Sequence, residues 1–137
     1  MYRIKFYSLL SFLSLGLLIS SCDKDDDNDS NVITITIEEP TEGEVITLAN
    51  CADVHIHIDV LASDENHEIE VVLHPEGDVD DKIIDYDAHE HDSLIEFAQE
   101  VDLCSYPSGT CFHLEVAACV DHDCAEKATA DVEFCLE

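Results

Sequence analysis

The sequence predicts an all-β fold, a seven-stranded antiparallel β-sandwich formed by residues 32–137. Apolar residues recur with a period of two in short runs, which is the pattern of half-buried strands. Clusters of turn-forming residues separate these runs at intervals of roughly 10–15 residues, as in sandwich folds. None of the runs has the 3.6-residue period that would indicate an amphipathic helix.

Seven runs are expected to be strands. The first four cover 32–38, 52–61, 69–73 and 82–86, and they differ in how clearly their pattern indicates a strand. The first reads VITITIE and alternates strictly. The second places four β-branched side chains on one face: Val54, Ile56, Ile58 and Val60. The third is a short apolar run, and the fourth is the weakest of the set.

The last three strands are expected at 94–103, 112–120 and 128–136. Each has one apolar face that a sandwich core would bury. The inward residues are expected to be Ile95, Phe97, Val101 and Leu103, then Phe112, Leu114, Val116 and Ala118, then Ala128, Ala130, Val132, Phe134 and Leu136.

The N-terminus has the charged, apolar and small-residue order of a secretory signal. Arg3 and Lys5 precede an apolar run at 6–19, which is short for a membrane span of ~20 residues. The run ends in Ile-Ser-Ser-Cys at 19–22, which resembles the lipobox of bacterial lipoproteins. That resemblance implies a signal peptide at 1–21, cleavage before Cys22 and acylation of Cys22. An ordinary secreted protein with a chance cysteine is the alternative.

Residues 22–31 are expected to be a disordered acidic tether. After Cys22 the segment has five aspartates, one lysine and no apolar residue, so it has nothing to bury. An acidic run directly after the lipidated cysteine resembles the surface-export signal of Bacteroidota lipoproteins. The resemblance implies a lipid-anchored outer-membrane protein exposed at the cell surface. A plain solvated linker in the periplasm is the alternative.

The charge of the chain excludes several classes of partner. All 33 acidic residues lie after Cys22, against only Lys24, Lys82 and Lys127, so the mature chain would carry a formal charge of −30. Nucleic-acid binding needs clustered basic residues, and an anionic membrane surface would repel this protein. Cations and basic partners are the ligands that such a field attracts.

Six cysteines remain once Cys22 is lipidated, and an even number in a small exported domain predicts three disulfides. A thiolate metal site is disfavoured because the sequence has no C-x-x-C pair. In an up-and-down sandwich the expected pairs are Cys51–Cys135, Cys104–Cys111 and Cys119–Cys124.

Residues 32–137 as a whole resemble Ig-like and fibronectin-III-like modules of surface lipoproteins, in particular His-rich ones of Bacteroidota. The specific part of the resemblance is a D-x-H-x-H segment, Asp87, His89 and His91, followed by an Asp-His-Asp turn at 121–123. The resemblance implies an Ig-like or fibronectin-III-like sandwich. The chain lacks the Cys…Trp…Cys hallmark of antibody domains, since it has no Trp.

Four of the eight histidines are expected at one end of the sandwich, the end nearest the tether. Loops of an up-and-down sandwich alternate between its two ends, so the loops around 64–67, 87–92 and 121–123 share one end. Imidazoles backed by carboxylates are ligands that zinc prefers. The sequence therefore predicts about one zinc-like divalent ion at His67, His89, His91 and His122, with Asp121 and Asp123 nearby. Solvated polar turns are the competing interpretation.

Two other histidine groups are rival sites. His55, His57 and Asp59 share the outward face of the second strand, where Glu96 or Glu100 of a neighbouring strand could join them. An exposed polar strand face is the favoured interpretation of this group. His74 and His113 lie near the ends of adjacent strands and could meet, but two ligands alone make a weak site.

Zinc is favoured over copper and calcium by the types of ligand present. The only Met is the initiator, so the soft thioether ligands of Cu(I) are missing. Calcium is the competing ion, because the acidic segment 77–81 (GDVDD) and the Asp-rich turns supply hard oxygens. The chain lacks the spacing of an EF-hand.

The sequence gives no sign of an enzyme. It has no G-x-S-x-G elbow, no H-E-x-x-H motif and no P-loop. Two functions are consistent with it: a surface lipoprotein that captures or buffers a divalent metal, and a non-catalytic Ig-like adhesion or accessory module. The second would bind another protein or a glycan through its acidic face, although few exposed aromatic residues are available for sugars.

Overall fold

The computed structural model describes residues 31–137, and the predictions made for the signal peptide, Cys22 and most of the tether lie outside this range. The described residues form eight strands and one short 3-10 turn at Leu48–Asn50. The strands are β1 (Ile33–Glu39), β2 (Val45–Ile46), β3 (Val54–Ala62), β4 (Glu68–Pro75), β5 (Ile84–His89), β6 (Leu94–Val101), β7 (Cys111–Cys119) and β8 (Lys127–Leu136). Within this range no helix has the length and apolar character needed to span a bilayer.

The strands form two sheets, so the prediction of an all-β fold is confirmed. One sheet has the order β1-β3-β6, and the other has the order β2-β8-β7-β4-β5. All pairings are antiparallel except that of β2 with β8, which is parallel. The predicted count of seven strands is wrong because of β2. This strand has only two residues, too few for a period of two to be recognised.

The core lies between the apolar faces of the two sheets. Ile56 and Ile58 of β3 face Leu73 of β4 and Leu114 of β7 in one buried cluster. Phe112 and Phe134, both fully buried, stack across β7 and β8 with ring centres 5.4 Å apart. The residues that the sequence assigned to the core in these strands are buried, except that Ala128, Ala130 and Val132 of β8 are half-buried. Side chains alternate strictly between the two faces of a strand, which made these faces predictable.

Strand β5 ends later than the sequence predicted. It runs from Ile84 to His89, and its inward residues are Ile84, Tyr86 and Ala88. His89 is therefore the last residue of a strand paired with Glu68, rather than part of a loop. The hydrogen-bonded ladder with β4 fixes the position of this residue.

Three disulfides are present, as predicted, but two of the predicted pairings are wrong. The observed pairs are Cys51–Cys104, Cys111–Cys135 and Cys119–Cys124. Cys111 and Cys135 lie directly opposite each other on β7 and β8, with Cα atoms 4.0 Å apart. They point outward, since their neighbours Phe112 and Phe134 point into the core. Cys51 cannot reach that face.

Cys51 instead lies inside the molecule, where it is 4% exposed. The backbone N–H of Leu103 donates to the carbonyl of Cys51 over 2.8 Å, and this contact brings Cys104 beside Cys51. The predicted pair Cys104–Cys111 assumed that one loop closes on itself, and the predicted pair Cys51–Cys135 assumed that two cysteines at the same end of the sandwich meet. The pairing follows instead from which face each cysteine occupies.

Candidate functional site

Four imidazoles and one carboxylate converge at the end of the molecule where residue 31 enters the fold. Three separate segments supply them. Glu65 and His67 lie between β3 and β4, His89 and His91 lie at and after the end of β5, and His122 lies in the turn between β7 and β8. This group, Glu65, His67, His89, His91 and His122, is called the histidine pole.

The four rings of the histidine pole form a closed circuit of neighbours. The ring centre of His67 lies 5.7 Å from that of His91 and 5.7 Å from that of His122. The ring of His89 lies 4.7 Å from His91 and 6.1 Å from His122. Most of these rings meet edge to face. Every predicted histidine of this site therefore lies in one cluster.

The carboxylate of the pole is Glu65, which the sequence placed in the right loop without naming it as a ligand. Its Oε2 lies 3.4 Å from Nδ1 of His91. Ligand atoms of Glu65, His67 and His91 all lie within 4.8 Å of one another, a spacing that could hold a metal ion. Nδ1 of His67 is buried and lacks a hydrogen-bond partner among the described residues. A buried nitrogen of this kind is costly unless something binds it.

The two predicted aspartates do not join this group, and Asp121 serves the turn instead. Oδ1 of Asp121 accepts the backbone N–H of Ala125 over 2.9 Å, which fixes the turn that carries His122. Cys124 has a φ of 52° in the same turn, and its disulfide to Cys119 ties both ends of the turn together. Neither Asp121 nor Asp123 belongs to the metal-compatible groups of the described residues.

Asn31 ties two segments of the pole to each other. The sequence assigned this residue to the tether, yet its side chain is bonded into the domain. Its Nδ2 donates to the carbonyls of Glu65 and Val120, over 2.7 and 3.1 Å. Its Oδ1 accepts the N–H of Asp64 over 3.2 Å. The chain therefore enters the folded domain directly beside the histidine pole.

Asn66 ties the second segment, which carries His89 and His91, to the first, which carries Glu65 and His67. It is fully buried, and its Nδ2 donates to the carbonyl of Asp92 over 2.7 Å. The backbone N–H of Glu90 donates to the carbonyl of His67 over 3.1 Å. The loops carrying His67 and His91 are thus joined on both sides of the cluster, which limits how far the two imidazoles can separate.

The rival strand group is assembled only in part. Nδ1 of His57 lies 3.0 Å from Glu38, and its Nε2 lies 3.7 Å from Oδ1 of Asp59. Glu96, across the strand pair, joins His57 and Asp59 within metal-ligand spacing. His55 does not join this group. It pairs with Glu100 at 3.7 Å instead.

The acidic segment predicted as a calcium rival has a different set of contacts. Asp81 accepts a hydrogen bond from the Tyr106 hydroxyl over 2.9 Å, and burial together with this bond raises the pKa of Tyr106. Lys82 donates to Asp85 over 2.8 Å, which raises the pKa of Lys82. Within residues 31–137, segment 77–81 does not supply a three-ligand group. Two further groups with metal-ligand spacing contain cysteines, Cys111 with Cys135 and Cys119 with Cys124. Both pairs are disulfide-bonded, so neither group supplies a thiolate ligand.

No known protein-family model matches this chain, and no curated protein is significantly similar to it. The chemistry of the site therefore has to be inferred from its own residues. Four converging imidazoles with an adjacent carboxylate can bind a borderline divalent metal, and exposed carboxylates alone would not favour one ion over another.

Proposed function

We propose that this protein is a lipid-anchored surface lipoprotein whose folded domain binds a divalent metal ion, zinc most readily, at the histidine pole. The observation that carries the proposal is the closed circuit of four imidazoles, delivered by three segments that are distant in sequence. Capture or buffering of the ion suits this site, because three of its four imidazoles, those of His89, His91 and His122, are exposed at the surface. The protein would not be an enzyme.

Ligand chemistry favours zinc over calcium at this pole. Zinc accepts three or four nitrogen and oxygen ligands in a tetrahedron, which His67, His91 and Glu65 could begin and His89 or His122 could complete. Calcium takes six to eight oxygens and has little use for imidazole. The surrounding negative charge lowers the free energy of any cation near the domain, while the imidazoles select among cations.

The finer fold class belongs to the same proposal. The three-stranded and five-stranded sheets share one core, and the chain crosses between them at every connection except β4–β5 and β7–β8. This arrangement supports an Ig-like or fibronectin-III-like sandwich in which β2 is a short additional edge strand.

Replacing two exposed histidines of the pole, His89→Ala/His91→Ala, is expected to remove one equivalent of bound zinc. Loss of a single outer partner typically costs 10–100-fold in metal affinity, so loss of the ligand His91, together with His89 as a candidate fourth ligand, should cost more than about 100-fold. Calorimetric titration of the purified full-length protein with zinc measures this. The matched control is His55→Ala/His57→Ala, which removes as many imidazoles from an exposed strand face and should leave pole binding unchanged.

Two outcomes would contradict the pole. Zinc affinity lost only in the His55/His57 variant would move the site to the three-stranded sheet. Wild-type binding weaker than roughly 100 μM would favour the adhesion or accessory module instead. Affinity should also fall as the pH is lowered, because protons compete with the metal for the neutral imidazole ring.

Membrane anchoring depends on Cys22 in this proposal. Cys22→Ser should move the protein from the detergent phase to the aqueous phase in a phase-partition experiment, or leave it unprocessed, because no acyl chain can be attached. Cys124→Ser is the matched control and should stay in the detergent phase. Unchanged processing and partition of Cys22→Ser would show that the chain is not a lipoprotein.

A further inference from the structure

A second group of metal-ligating side chains lies on the outer face of the five-stranded sheet. His74 of β4 and His113 of β7 are direct cross-strand neighbours, with ring centres 6.0 Å apart. Glu115 lies two residues beyond His113, on the same face of β7. Ligand atoms of these three residues all lie within 4.8 Å of one another. The group His74, His113 and Glu115 is called the sheet-face site.

Hydrogen bonding fixes which nitrogen of His74 is free. The ring is buried, and its Nδ1 lies 2.9 Å from the carbonyl of Pro75. A carbonyl can only accept, so Nδ1 carries the proton and donates it. Nε2 is then left with an exposed lone pair when the ring is neutral. A backbone carbonyl that orients a ring in this way is a common partner of metal-bound histidine.

His113 is also oriented by a hydrogen bond, but its partner is a carboxylate and the bonded nitrogen is Nε2 rather than Nδ1. Its Nε2 lies 3.2 Å from Oε2 of Glu133 and donates to it, because a carboxylate accepts. The lone pair of the neutral ring is therefore on Nδ1. This carboxylate–histidine arrangement is the second one that recurs behind metal ligands.

Both unprotonated nitrogens lie near the same oxygen. Oε1 of Glu115 lies 3.9 Å from Nε2 of His74 and 4.0 Å from Nδ1 of His113. These distances are too long for hydrogen bonds, so no proton need be shared among the three atoms. Three electron-pair donors thus lie within 4.8 Å of one another, an arrangement that a cation placed between them would stabilise.

We propose that the sheet-face site binds a second zinc-like divalent ion through Nε2 of His74, Nδ1 of His113 and the carboxylate of Glu115. Ligands bound tetrahedrally at roughly 2.0–2.2 Å lie about 3.4 Å apart, so the site needs to contract by about half an ångström. Glu115 is 56% exposed and free to move inward, whereas the buried His74 holds its position. The fourth position is left to water or a small anion, as in three-ligand zinc sites.

The two sites are far enough apart to act independently. His67 precedes β4 and His74 lies near its end, so seven residues of extended chain separate them by about 23 Å. That distance exceeds the Debye length of ~8 Å at physiological ionic strength. The wild-type protein should therefore bind two equivalents of zinc, and each can be removed without the other.

Calorimetric titration with zinc in the His89→Ala/His91→Ala background tests the sheet-face site. One equivalent should remain, and adding His113→Gln or Glu115→Gln should weaken it at least tenfold. The control is Glu70→Gln, which removes one charge from the same sheet face without removing a ligand, and its affinity should stay within twofold. If all three variants weaken binding equally, the ion is attracted only by general charge and the site does not exist.

Long-range ¹⁵N–¹H correlation spectra of the imidazoles provide a readout that folding defects do not imitate. Zinc should shift the Nε2 resonance of His74 and the Nδ1 resonance of His113, which are opposite nitrogens. Shifts at the other nitrogens would overturn the proposal. The proposal would also be overturned if zinc caused no shifts and both rings were fully protonated. The group would then be an imidazolium–carboxylate cluster. Loss of zinc only in pole variants would reject this site and leave the pole intact.

Discussion

Removing the Cys51–Cys104 disulfide is expected to lower the free energy of unfolding by about 4 kcal/mol. The bridge joins residues 53 apart in sequence, so breaking it releases a long loop in the unfolded chain. The double variant Cys51→Ala/Cys104→Ala removes only one sulfur atom from each side chain, which keeps the packing cost small. Small domains are stabilised by only about 5–15 kcal/mol in total, so this loss should be visible as a large shift in the urea midpoint.

Cys119→Ala/Cys124→Ala is the matched control for that measurement. Its bridge spans residues only 5 apart, and the same loop-entropy argument gives about 2 kcal/mol. Equal losses in the two double variants would contradict the loop-length explanation. Peptide mapping without reduction should also recover Cys51 joined to Cys104. A fragment joining Cys51 to Cys135 would show that the pairing described above is incorrect.

Asn66→Ala is expected to cost about 1–3 kcal/mol of stability and to weaken zinc binding at the histidine pole. The substitution removes the buried side-chain donor to the carbonyl of Asp92, which keeps only the longer bond of 3.3 Å from the backbone N–H of residue 66, and loss of a buried hydrogen bond is costly. It also removes one of the contacts that join the loop carrying His67 to the loop carrying His91. Urea denaturation measures the first effect, and calorimetric titration with zinc measures the second.

Asn50→Ala is the control, because Asn50 is exposed and lies in the 3-10 turn away from the pole. It should change stability by less than about 0.5 kcal/mol, as is usual for surface substitutions. A comparably small effect of Asn66→Ala on stability would contradict the structural role assigned to the buried amide. A stability loss without a change in zinc affinity would show that the two loops keep their spacing without it.

The core of the fold could be predicted from the sequence because side-chain alternation along a strand is a local property. Ile56, Ile58, Phe112 and Leu114 are buried for a reason that is visible in their own segments. Strand ends were less predictable. The end of β5 at His89 depends on pairing with Glu68, a residue 21 positions earlier.

The convergence of the four pole histidines was predictable from topology alone. Loops of a sandwich alternate between its ends, so His67, His91 and His122 were expected on one surface before any distance was known. The identity of the nearby carboxylate was not predictable. Glu65 faces His91, while Asp121 is used by its own turn, and side-chain directions of this kind depend on the folded loops.

The sequence by itself determined the all-β class, the inward face of each long strand, the number of disulfides and the set of histidines that share one end. These follow from side-chain alternation, cysteine count and loop order, all of which are encoded along the chain. Only the tertiary structure decided that Cys111 pairs with Cys135, that β2 lies along β8, and that His74 and His113 lie beside Glu115. The physical reason is that these features depend on strand register and ring orientation, which packing between distant segments sets to within a fraction of an ångström.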